Sequence, residues 1–168
     1  MYSELLNYML RIADLHGQIE ALLADLPVDA LNWRPFAGQN ITEVNSLAVL
    51  ALHVCGAEHF WIGEVIGGLP RTRDRQAELS TQVSSPDEVY DVLRRTLKQT
   101  REILGSLAPA DLDRTLRVDG REVPLRWAIL HVIDHTALHL GHMQMTYQLV
   151  RQGRAFPAPT WEKRLPVT

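Results

Sequence analysis

Four histidines within twelve residues, His131, His135, His139 and His142, stand at helical spacing inside one apolar run, Trp127 to Val150. A step of four residues turns a helix by about 40° and a step of seven by about −20°, so all four imidazoles share one face. Asp134, Gln144, Gln148 and Arg151 mark the expected exposed side, which turns the histidines inward. A buried imidazole without a partner is costly, whereas several converging on one point suit a borderline divalent metal. The chain must therefore fold so that a long helix packs its polar column against neighbours that can complete a site.

The neighbours are legible from periodicity. Leu5, Met9, Ile12, His16, Ile19, Leu23 and Leu26 alternate by four and three, the seam of a packed helix that Pro27 closes. His16 lies on that seam, as a core residue or a support for a ligand. A loop from Leu31 to Asn40 follows, with Trp33 and Phe36 expected over one end of the bundle. Asn40 and Glu43 read as the cap and box of a second helix that runs to Gly67-Gly68. Arg71 to Ser84 has no sustained period and reads as an exposed crossover. Ser85-Pro86-Asp87-Glu88 opens a third helix with a capping serine, a first-turn proline and a glutamate three residues on. Its buried stripe is Val89, Leu93, Thr96, Leu97, Thr100, Ile103, Leu104 and Leu107. Alternation around Asp119-Gly120 predicts a small β-hairpin from Thr115 to Val123. Pro124 then opens the fourth helix, and Trp161 is expected to hold a proline-rich tail against the bundle.

The expected fold is thus all-α, one domain of 168 residues: an antiparallel four-helix bundle with a long crossover between helices 2 and 3 and a hairpin before helix 4. The helices are placed at about 2–26, 41–67, 86–107 and 124–152, with a tail over 153–168.

Composition excludes several classes. The net charge is −3, and the densest basic groups, Arg71-Thr-Arg-Asp-Arg75 and Arg94-Arg95, sit among acids as solvated surface, so no nucleic-acid partner is expected. The richest apolar run, Ile41 to Leu69, is broken by Glu43, Asn45, His53, Glu58, His59 and Glu64, short of the ~18 uninterrupted residues of a membrane span. No membrane partner is expected. One cysteine, Cys55, allows no internal disulfide, and the first residues lack a secretory pattern, so the expected location is cytoplasmic. Ser-His-Asp order, glycine-rich phosphate loops and paired-cysteine motifs do not occur.

His53 is the natural third ligand, because it lies in the almost unbroken apolar run Leu47 to Val54 of the second helix. Three neutral imidazoles leave a coordination position for water or substrate, as in catalytic zinc sites. Spacing alone leaves three choices for the other two: His131/His135, His135/His139 or His139/His142. His59 lies about 120° round from His53 and reads as a packing or solvated residue. Cys55 reads as a small buried one. Glu58 and Glu64 could orient ligands or act as bases, but helix carboxylates are generally the wet side.

Asn45-Ser-Leu-Ala-Val-Leu-Ala-Leu-His53, Ala57-Glu-His-Phe-Trp-Ile-Gly63 and His131-Val-Ile-Asp-His135-Thr-Ala-Leu-His139-Leu-Gly141 together resemble the DinB-like proteins. Bacillithiol and mycothiol S-transferases and the mycothiol-dependent maleylpyruvate isomerase are similar bundles. The resemblance implies a divalent metal, zinc or nickel, held by His53, His135 and His139. Many relatives continue the last ligand with Arg-Gly-Gln, where this chain has Leu140-Gly141-His142, so His142 stands as an extra ligand or base.

These readings lead to an expected metal-dependent enzyme that transfers a low-molecular-weight thiol to a small electrophile. The ion would lower the pKa of a bound thiol or water, and His142 or His131 would accept the proton. Metal-assisted hydrolysis of an amide-type bond uses the same parts, and a non-catalytic bundle with a structural metal is the reading from another class. A small-molecule substrate and a homodimer are the expected partners.

Overall fold

Ser3 accepts the Leu6 amide on its hydroxyl and opens helix α1, Glu4–Leu23, which ends before the left-handed Asp25 (φ 61°). The computed structural model describes residues 3–36, 44–157 and 159–164, at Trp161 for the backbone alone. The expected Asn40–Glu43 cap and the Trp161 clamp lie outside the described residues. Helix α2, Val28–Asn32, takes up the start of the expected loop, and Trp33 and Phe36 after it are exposed rather than sealing an end.

Helix α3, Leu47–Glu58, begins later than the expected residue 41. Val44 to Ser46 are not helical, and the Ser46 hydroxyl caps the helix by accepting the Val49 amide at 3.2 Å. From His59 to Ile66 the helix continues with π geometry and stops at Gly67. Such wide turns are rare in helices and concentrate at functional places.

The crossover is not the irregular connection its sequence suggests. Asp74 accepts the Ala77 amide and starts helix α4, Arg75–Ser80, which packs on α3. Helix α5, Pro86–Ser106, has the expected proline in its first turn, but Ser85 makes no side-chain cap. Glu88 reaches back instead to the amide and hydroxyl of Ser84. After a 3₁₀ turn, Pro109–Asp113, strands β1 (Thr115–Val118) and β2 (Arg121–Pro124) pair antiparallel, Leu116 opposite Val123 and Val118 opposite Arg121. Asp119 (φ 49°) and Gly120 (φ 80°) make the two-residue loop, whose handedness matches the strand twist. Helix α6, Leu125–Val150, and a last turn α7, Trp161–Arg164, complete the chain.

Around the bundle, α1 and α3 each touch α5 and α6, so α1 faces α3 across the middle. Partners reveal direction. Glu58 meets Thr100 and Gly67 approaches Ile103, so α3 and α5 run parallel, as the long crossover requires. His53 meets His139 while Trp61 meets Trp127, so α3 and α6 run antiparallel.

Two apolar clusters fill the interior. One gathers Leu15 to Leu26, Leu47 to Cys55, Leu93, Leu140 and Met143; the other gathers Leu5, Ile12, Ile62, Ile66, Leu104, Leu125 and Ile129. Each buried leucine or isoleucine contributes roughly 1.5–3 kcal/mol. Between the clusters runs a polar belt. His16 Nε2–H donates to Glu58 Oε2 at 2.7 Å, and the Thr100 hydroxyl donates to Oε1 at 2.5 Å, all three side chains buried. Glu58 and Glu64, expected on the wet side, are both buried, and each carboxylate accepts hydrogen bonds there.

The exposed side of α6 departs from expectation in part. Asp134 and Arg151 are exposed as expected, but Gln144 and Gln148 are half-buried, while Trp127, Leu138, Met145 and Leu149 are exposed and His142 lies out with them. The histidine column therefore sits on the flank of the buried stripe Ile129, Val132, Thr136, Leu140, Met143 rather than at its centre. Among the described residues, Leu47–Ile66 is long and apolar enough to cross a membrane by length and composition, and 67% of that window is buried inside the bundle.

Candidate metal centre

Because α3 and α6 are adjacent and antiparallel, one turn of α3 faces two turns of α6. His53, His135 and His139 meet there. The ring of His53 lies 5.0 Å from each of the others, centroid to centroid, and His135 and His139 are 4.4 Å apart. One ligand atom from each residue lies within 4.8 Å of the other two. Modest side-chain rotations would bring three such nitrogens onto one ion at the ~2.0–2.1 Å typical of zinc–imidazole bonds. His53 is buried and the other two are half-buried, so the trio is anchored in the core and open on one side.

The protonation of these rings suits ligation. Burial, reinforced by the neighbouring imidazoles His139, His53 and His131, pushes His135 down to about 3. Burial, with His53 and His142 beside it, pushes His139 down to about 4. Both are neutral at ordinary pH with lone pairs available. His135 Nδ1 is buried without a hydrogen-bond partner among the described residues, a cost of about 1–3 kcal/mol that a ligand would relieve. The donor set and this orphaned nitrogen fit a divalent ion.

His53 is oriented by a residue that periodicity did not single out. Its Nδ1–H donates to Glu78 Oε2 at 2.9 Å, which leaves Nε2 free. Glu78 comes from α4 and is itself gripped by Arg73, Nε to Oε1 at 2.8 Å and a terminal nitrogen to Oε2 at 3.0 Å. Burial raises the Glu78 carboxyl, but the hydrogen bonds from His53 and Arg73 outweigh it and hold the group below the usual carboxylate range. Glu78 can approach only because residue 56 is glycine; a Cβ there would overlap its carboxylate. The start of the crossover is held by Glu64, whose Oε1 accepts the amides of Thr72 at 2.7 Å and Arg73 at 2.9 Å. Burial alone would raise Glu64, and these amides bring it below its ordinary value. A sequence signal existed for this strap: Asp74 as a cap, followed by Arg75, Gln76, Ala77 and Glu78, all compatible with one turn of helix.

The remaining candidates sit around the trio. His142 is exposed, and its Nδ1 lies 3.3 Å from Nδ1 of His139, so it contacts one member of the trio without joining it. His131 stacks on Trp127 with ring planes 2° apart, 5.7 Å from His135, and burial lowers its pKa against the raising effect of Asp134. His59 Nδ1–H donates to Gln99 at 2.7 Å while its Nε2 accepts the Thr72 hydroxyl at 3.0 Å, so it serves the crossover. Cys55 is buried, and burial foremost raises its thiol far above neutrality, which leaves it inert. An apolar cleft of about 390 Å³ opens beside His139 and His142, walled by Phe36, Leu50, Met145 and Leu149.

Three imidazoles converging between adjacent helices of a four-helix bundle have the form in which such bundles build metal sites. The profile of the DinB superfamily matches residues 12–143, and the chain belongs to that superfamily. Among solved structures, the crystal structure of a conserved protein from Enterococcus faecalis superposes with a TM-score of 0.73 over 90% of this chain and 99% of its own, at 16% identity. At that identity the likeness speaks for the fold alone. No curated protein matches the chain in sequence.

Proposed function

We propose that the chain is a metal-dependent enzyme of the thiol S-transferase type, acting on a small molecule, with His53, His135 and His139 as the ligands of a zinc or nickel ion. The single observation that carries this reading is the convergence of the three imidazoles, one of them oriented by Glu78. A bound divalent ion would supply Lewis acidity that lowers the pKa of a coordinated thiol or water. The protein's own residues do the rest. Glu78 holds His53 in the tautomer that ligates through Nε2. His142 is exposed at the mouth of the cleft beside His139 and is the proposed proton acceptor, at hydrogen-bond distance from His139 Nδ1. His131 is packed against both Trp61 and Trp127 and is the weaker candidate for that role. The apolar walls of the cleft would exclude water around a small electrophile.

Titration calorimetry with zinc and nickel tests the ion. The expected result is about one equivalent bound by the intact protein, with uptake lost and melting temperature kept in His53→Ala. Binding undiminished in that variant would overturn the assignment. Addition of cysteamine to nickel-loaded protein at pH 7 tests the chemistry: a thiolate-to-nickel charge-transfer band is expected. Its absence at saturating thiol would remove the thiol-transfer reading.

A further inference from the structure

Next to the ligand column lies an aromatic arrangement that the metal centre does not use. Trp127 and His131 are one turn apart on α6, their rings parallel within 2° and 4.9 Å apart. Trp61, from the π-helical segment, stands 5.4 Å from both, at 74° to one and 75° to the other. A ring equidistant from two parallel rings and nearly perpendicular to both sits at the side of their stack. His131 therefore covers one face of Trp127, and neither ring covers the other face.

Trp127 is 48% exposed, unusual for the largest apolar side chain in a folded chain. With Phe60, Trp61, Val118, Val123 and Pro124 it lines a cleft of about 650 Å³ between the hairpin and the bundle, within the range of small-molecule sites. The charges at its rim offset one another. Asp119 and Glu122 stand with Arg121, and Arg71 reaches Asp119 at 4.0 Å. Arg71 also places its guanidinium 4.7 Å from the centre of the Phe60 ring, so a cation already occupies that ring.

We propose that this cleft is a ligand subsite for a flat, uncharged, conjugated or aromatic ring, which stacks on the open face of Trp127. The near-neutral rim disfavours a charged ligand, and the platform selects for flatness. His131 joins the platform to the trio, its ring 5.7 Å from that of His135. The ring would thus belong to the electrophile; that role rests on the proposed function, whereas binding itself does not.

The test uses the four tryptophans, Trp33, Trp61, Trp127 and Trp161, whose indole N–H resonances can be assigned by single substitutions. 2-Naphthol, flat and neutral, should shift Trp61 and Trp127 saturably and leave Trp33 in place. The saturated analogue decahydro-2-naphthol should bind at least ~3-fold more weakly, and Trp127→Leu should weaken naphthol binding by roughly 3- to 10-fold, the range of one aromatic stack. Because Trp127 is half-exposed, the variant should keep its melting temperature. Naphthol shifts confined to Trp33, no shift at all, or equal binding by Trp127→Leu would overturn the subsite. So would a Trp127 resonance that moves on dilution alone, which would place a second copy of the chain on this face. Zinc uptake is measured separately on the same samples. Uptake without a Trp127 shift sinks the subsite alone, and a Trp127 shift without uptake supports the subsite while sinking the metal reading.

Discussion

His135 and His139 show how position on a helix sets the chemistry of a side chain. Both lie on the flank of the buried stripe, where desolvation, reinforced by neighbouring imidazoles (His139, His53 and His131 for one, His53 and His142 for the other), keeps them neutral. Their unfolded value is near 6.5, and in the fold they sit at about 3 and about 4. Between pH 6.5 and 4 the unfolded chain therefore binds protons that the folded chain refuses, and stability falls as pH falls. In metal-free protein the urea midpoint should already drop between pH 7 and pH 5, before carboxylates titrate. The double variant His135→Leu/His139→Leu should lack that part of the slope; an unchanged slope would show that these rings are not the depressed groups. The identity of the inward-facing residue types was legible from the four-and-three spacing. Their degree of exposure was not, because spacing fixes an angle round a helix but says nothing about how far the neighbouring helix overlaps it.

At the scale of elements, the decisive piece is the six-residue helix α4. Its one turn carries Glu78 onto His53, and it docks where Gly56 leaves room. Glu78→Gln should lower zinc affinity by about 10- to 100-fold, the usual cost of losing a ligand's supporting carboxylate. Gly56→Ala should do much the same from the opposite helix, because the added methyl displaces a flexible carboxylate rather than backbone. Its melting temperature should stay within a few degrees of the parent. Calorimetry and a thermal melt on each variant check this; an affinity unchanged in both would make the Glu78 contact incidental. Long elements such as α5 and α6 declared themselves through repeated apolar steps, and the Asp119-Gly120 hairpin through its turn. The α4 turn did not, since six residues give no period to read and its value lies in a partner 25 positions away.

Across the whole molecule, the polar belt divides the core into two apolar halves. His16, Glu58 and Thr100 come from three helices, and His16 joins α1 to α3 across the middle of the bundle. His16 keeps one buried nitrogen, Nδ1, without a partner among the described residues. Removing one member of a buried pair strands the other, so Glu58→Leu should cost about 3–5 kcal/mol in urea unfolding. His16→Leu/Glu58→Leu should recover most of that loss, because matched apolar side chains replace a pair that was expensive to desolvate. Strict additivity of the two single losses would show that the pair does not act as a unit. His16 was legible as a seam residue, and the superfamily's bundle was legible from the helix pattern. Its carboxylate partner was not, since a diagonal contact leaves no trace in either helix's own period.

Glu64 fastens the beginning of the crossover and Glu78 its end, with Arg73 touching both. Free energies of coupled events are reciprocal. By whatever factor the docked strap strengthens the grip of the three imidazoles, an ion seated among them clamps the strap by the same factor. The connection that turns the chain from one end of the bundle to the other would then tighten or loosen with occupancy of the centre it supports.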